Sequence, residues 1–137
     1  MTTLQVQVVE VIDRLYRQID KLIDIKHEKI EKIKTVGDTY MAGAGLPTPT
    51  KTHALDMAYF AFAFAKEIEH FNKHYKLGMD GRAQKLDYKI GISSGPIVAG
   101  VIGKKNPVYD LWGKSRVEKM EKQMCLSQRV EKKVLHV

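Results

Sequence analysis

The chain has 137 residues, 44% hydrophobic and 28% charged, a balance that suits one soluble domain over 1–137 with a sizeable core. Its formal net charge of +7 comes from 23 Lys and Arg interleaved with 16 Asp and Glu, which reads as a solvated basic surface and not as a nucleic-acid module. The longest apolar-looking stretch, Ala54 to Ala65, is too short to cross a bilayer, and Met1 to Glu10 lacks the order of a secretory leader, so a cytoplasmic location is expected. The single cysteine, Cys125, has no internal disulfide partner and is expected to pack without a chemical role.

From Leu4 to Ile25 the apolar residues Val8, Val11, Leu15, Ile19, Leu22 and Ile23 recur at helical spacing against a charged face, which predicts an amphipathic helix. Glu31 to Val36 and Thr39 to Gly45 predict a hairpin whose tip is Gly37-Asp38. Pro47 to Thr50 makes a loop, and His53 to Tyr75, rich in Ala, Phe and Met without a breaker, predicts a second long helix.

Gly78 to Arg82 reads as a turn into a strand over Lys85 to Ser93, where Leu86, Tyr88, Ile90 and Ile92 alternate with polar or small residues. Gly95-Pro96 closes that strand, and Pro96 to Ile102 predicts the start of a helical turn with Pro at its first position. Lys104 to Pro107 is a loop and Val108 to Leu111 a short strand; Lys114 to Lys133 predicts a charged helix carrying Val117, Met120 and Met124 on one side. The order of elements indicates an α+β fold, a sheet with helices packed on one face.

Three ordered blocks carry a family resemblance. Glu31 to Ala42 (EKIKTVGDTYMA) with Ala44-Gly45-Leu46-Pro47, then Lys89 to Gly103 (KIGISSGPIVAGVIG), then Tyr109 to Gly113 (YDLWG) together resemble the class III nucleotide cyclase catalytic domain. The resemblance covers about Val8 to Gly113. It implies a ferredoxin-like fold with an antiparallel or mixed sheet, conversion of ATP to cyclic AMP and pyrophosphate, Mg²⁺ or Mn²⁺ as cofactor, and a dimer of cyclase domains with sites built at the interface.

The residues suit that chemistry. Attack of a ribose 3′-hydroxyl on an α-phosphate needs carboxylates to hold hard cations and fixed positive charge to meet the developing negative charge. Asp38 matches one of the family's two metal-binding carboxylates, although Gly-Asp is also simply a good turn pair. Lys34 and Asp110 match the positions that contact the purine, where guanylyl cyclases carry Glu and Cys or a similar small residue. A Lys donor with an Asp acceptor suits adenine, although taken singly each reads equally well as an ordinary strand residue.

Other patterns lead nowhere. Gly113-Lys114-Ser115 mimics the end of a Walker motif, but Val108 stands where the earlier Gly belongs. His70 and His74 have metal-sharing spacing without a third ligand, so a solvated pair is the plainer reading.

Two parts of the family pattern depart. The family's first block, a strand bearing the other metal-binding Asp, belongs before the first helix, where this chain has only Met1-Thr2-Thr3; Asp13, Asp20 and Asp24 lie on the helix and are expected to face solvent. After Gly113, Val117 and Glu121 fall where the family has an Asn and a transition-state Arg. With a two-residue deletion Lys119 takes the place of the Arg, and Arg116 serves nearby. The alternative to an active cyclase is thus a catalytically impaired, nucleotide-binding half that pairs with another cyclase domain.

Overall fold

The computed structural model describes residues 3–75, 85–112 and 124–129. Helix α1 runs over Thr3–Lys26, a hairpin follows in β1 (Ile30–Val36) and β2 (Thr39–Ala44), and helix α2 spans His53–His74. Strands β3 (Lys89–Ser94), β4 (Val98–Ile102), β5 (Val108–Trp112) and β6 (Met124–Arg129) complete the elements. A four-stranded sheet has the order β1-β2-β6-β3, antiparallel at every junction, and β4 with β5 forms a separate antiparallel ribbon. The fold is the expected α+β type.

Both helices cover one face of the larger sheet. Leu15 and Ile19 of α1 and Phe60, Phe64 and Ile68 of α2 are fully buried with Tyr40 of β2 between them. Tyr40 meets Tyr16 and Phe64 edge-on at 5.2 and 5.5 Å. Burying a side chain of this size removes it from water at a gain of about 1.5–3 kcal/mol, so this seam anchors the helices to the hairpin. The Tyr40 hydroxyl reaches the polar edge of the core and donates to Asp20 at 2.7 Å, and Lys32 donates to the other Asp20 oxygen at 2.7 Å. Asp20, its side chain 39% exposed, keeps the expected contact with solvent and does more than expected, tying α1 to both hairpin strands.

Three expectations are corrected. Strand β3 starts at Lys89 and not Lys85, because the Asn72 side chain of α2 takes both backbone groups of Leu86, accepting from its N–H at 2.8 Å and donating to its C=O at 3.0 Å. Pro96 to Ile102 does not begin a helical turn. Val98–Ile102 is strand β4, where the β-branched Val98, Val101 and Ile102 pair with β5 in full register.

The third correction concerns the expected helix over Lys114 to Lys133, of which residues 124–129 are instead the strand β6. That segment pairs six residues with β2 on one side and six with β3 on the other. Two rows of waiting backbone donors and acceptors override a weak helical period. The remainder of that span, and the Gly78 to Arg82 turn, lie outside the described residues.

Candidate functional site

A β-bulge in β1 aims the first candidate side chain. Lys32 pairs with Ala42, but Lys34 pairs with Met41, so Ile33 is the extra residue of the bulge. Ala42 and Tyr40 face the helices in the core, and Met41 alternates to the opposite face. Without the bulge Lys34 would stand opposite Tyr40, on the helix side. With it, Lys34 crosses to the other face while Lys32 stays near Asp20.

The ribbon β4-β5 lies against that other face. Ile33 and Leu111 both approach Gly43, where an added Cβ would lie 3.8 Å and 3.9 Å from their terminal carbons. This contact brings Asp110 of β5 to the hairpin, and Lys34 Nζ donates to Asp110 Oδ2 at 2.6 Å. The other oxygen, Oδ1, accepts from the Leu111 backbone N–H at 2.8 Å, which fixes the plane of the carboxylate. Each side chain of the pair is 23% exposed, so it is neither solvated nor sealed.

Directly opposed residues of antiparallel strands point the same way. Gly100 opposes Asp110, Val98 opposes Trp112 and Ile102 opposes Val108. The face of the ribbon that carries Asp110 therefore also carries Val98, Ile102, Val108 and Trp112, and all four are at least 40% exposed. An ion pair flanked by bare apolar side chains can take a flat heterocycle with a polar edge, the apolar groups covering the ring and the charges reading its edge.

Asp38 occupies the hairpin turn, half-buried, after Gly37, whose φ of 56° favours glycine. The Tyr16 hydroxyl of α1 donates to the Gly37 carbonyl at 3.4 Å, holding the turn against the helix. Burial first, and then the nearby Asp38 charge, push the Tyr16 hydroxyl up to about 12. Tyr40 is driven in the same direction by burial and next by its hydrogen bond to Asp20.

A hard divalent cation takes about six or more oxygen ligands, several of them carboxylates in a protein-built site. Among the described residues no group of three or more His, Cys, Asp or Glu side chains converges, and Asp38 is a single carboxylate. On their own these residues do not fit a Mg²⁺ or Mn²⁺ site. His70 and His74 stack at 4.1 Å, His74 Nδ1 donates to the His70 carbonyl, and among the described residues no third ligand joins the pair. Arg116 and Lys119 lie outside the described residues.

Of the residues singled out in the sequence, the structure thus joins Lys34 to Asp110 and sets Asp38 on the same hairpin. The bulge and the Tyr16 contact were not anticipated. Ile30 and Ile33, three apart and both buried, lie on opposite faces as a regular strand would place them, so the sequence carried no signal for the bulge. Among the described residues no helix is long and apolar enough to cross a membrane.

The chain is 34% identical over 112 residues to an adenylate cyclase of Mycobacterium tuberculosis, covering 82% of this chain and 23% of the relative. It is 32% identical to the rat guanylate cyclase soluble subunit beta-2 over 79% of this chain and 15% of the relative. The chain thus spans less than a quarter of these curated relatives.

Among solved structures, the catalytic core of a rhodopsin-guanylyl cyclase with converted specificity, in complex with ATPαS, superposes with a TM-score of 0.59. That match has 19% identity and covers 96% of this chain and 86% of the other, so it speaks for the fold alone. The dimeric guanylyl cyclase domain of the RhoGC fusion protein from Blastocladiella emersonii matches with a TM-score of 0.56 and 25% identity, over 84% of this chain and 58% of that one. The pattern of the adenylate and guanylate cyclase catalytic domain matches residues 2–130, and the chain belongs to that family.

Proposed function

We propose that this chain is the adenine-reading part of a nucleotide cyclase domain that forms cyclic AMP and pyrophosphate from ATP, working as one member of a dimer of cyclase domains. The observation that carries the proposal is the Lys34–Asp110 ion pair at 2.6 Å, a cationic donor beside an anionic acceptor. Adenine presents a ring-nitrogen acceptor next to an exocyclic amino donor. An ammonium has three donors, so Lys34 can keep Asp110 and still donate to a ring nitrogen, and the adenine amino group is the kind of donor a carboxylate accepts. Partly exposed ion pairs are worth at most about 1 kcal/mol, and any loosening on binding costs little.

Two further features support the reading. A guanylyl cyclase relative whose specificity was converted has been captured with an ATP analogue, so this fold accommodates adenine in at least one relative. The exposed apolar residues flanking Asp110 offer a surface that a second cyclase domain would cover, which suits a nucleotide site at an interface. Asp38 is proposed as one metal ligand of a set completed outside the described residues, and Arg116 and Lys119 as the cations facing the phosphates.

The test is a product assay on the purified chain with ATP or GTP and Mg²⁺ or Mn²⁺, alone and mixed with a separate cyclase half. Cyclic AMP as the dominant product supports the proposal. Cyclic GMP as the dominant product would overturn the adenine assignment. A second reading, a nucleotide-binding half without turnover, is favoured by the single carboxylate at the turn. Adenine-selective binding with no cyclic product in either mixture selects it.

A further inference from the structure

On the helical side of the sheet, away from the Lys34–Asp110 pair, α1 and α2 leave an open cleft of about 340 Å³. From α1, Arg14, Arg17 and Lys21 enter it at positions i, i+3 and i+7, one face of two helical turns. From α2, His70 and His74 face them across the cleft. Among the described residues no carboxylate belongs to the lining; Asp13 pairs with Arg17 at 2.8 Å where both side chains are more than half exposed, and Asp20 acts on the same guanidinium from farther off. An exposed pair of this kind offsets little of the charge.

The cleft also has a formed floor. Phe71 and Tyr75 stack at 5.0 Å with an interplanar angle of 16°, and the Arg14 guanidinium lies 5.3 Å above the Tyr75 ring. Phe71 and Arg14 thus both engage the Tyr75 ring, which is already partnered before any ligand enters. His74 Nδ1 is engaged by the His70 carbonyl, which orients its ring in the wall. What remains is a row of cations spread over about 10 Å of helix axis, longer than one tetrahedral anion.

We infer that the α1-α2 cleft binds a polyphosphate anion through Arg14, Arg17 and Lys21, with no requirement for a base. Linked phosphates match a linear row of guanidinium and ammonium groups, which engage phosphate oxygens through short charge-assisted hydrogen bonds. This site is independent of the nucleotide reading, since the sheet separates it from Asp110 and neither of its elements supplies Lys34.

The experiment is calorimetric titration of the full chain with inorganic tripolyphosphate and with orthophosphate, in EDTA to remove divalent metal. Saturable binding of one tripolyphosphate per chain, about tenfold or more tighter than orthophosphate, is expected. Arg17→Gln and Lys21→Gln, both at exposed positions and checked by unchanged thermal midpoints, should each weaken it by about tenfold, as loss of one charge-assisted contact implies. Lys34→Glu should leave it within twofold, roughly the scatter of a distant site. Equal, weak affinity for the two anions would overturn the inference, as would unchanged binding in the two cleft variants. Loss of binding in Lys34→Glu would place the anion at the nucleotide site and overturn it as well.

Discussion

At Tyr16 and Tyr40 two phenols do different work. Tyr40 is fully buried and gives its proton to Asp20, so Tyr40→Phe leaves that carboxylate short of a partner while keeping the ring. A hydrogen bond to a charged group is worth about 1.5–3 kcal/mol, and a loss of stability in that range should appear in urea denaturation. Tyr16 is protonated in the folded protein up to about pH 12, against an ordinary value of 10.0. Its contribution to stability is whole below pH 10 and is lost as pH rises through 10 to 12, because the unfolded chain gives up its proton first. Tyr16→Phe should therefore show a shallower fall in stability across pH 10 to 12 than the unaltered protein; an identical fall would mean that Tyr16 does not sense Asp38 or its burial.

Elements differ in how openly their sequence declares them. Helix α1 was legible because Val11, Leu15, Ile19 and Ile23 keep helical spacing, and the hairpin because Gly37-Asp38 sits between two strand-like runs. Lys34, Asp38 and Asp110 were legible only as members of ordered blocks, since each alone reads as an ordinary strand or turn residue. The start of β3 was hidden because a side chain 14 positions away, Asn72, takes the backbone groups of Leu86. Asn72→Ala should leave that N–H and C=O without their partner, costing about 1–3 kcal/mol and raising hydrogen exchange at Leu86. Unchanged exchange would show that the clasp does not set the strand boundary. Strand β6 was hidden for a related reason: its neighbours β2 and β3 are far away in sequence, and local period carries no trace of them.

For the whole molecule, the sheet separates two surfaces of opposite character. The helical side carries the basic α1-α2 cleft, and the other side carries Asp110 among Val98, Ile102, Val108 and Trp112. A dimer built over the second surface should weaken when a charge is placed in it. Val98→Lys or Ile102→Lys is expected to shift sedimentation from dimer to monomer with little change in thermal midpoint, because both positions are exposed in the single chain. A dimer that persists in both variants would place the interface elsewhere.

The pair at the centre of the account is tested most directly by calorimetry with non-hydrolysable ATP and GTP analogues on the unaltered chain and on Lys34→Glu. At least about tenfold preference for the adenine nucleotide is expected, the equivalent of one well-placed polar contact, together with its disappearance in Lys34→Glu. Equal affinity for the two analogues, or a preference that survives Lys34→Glu, would contradict it.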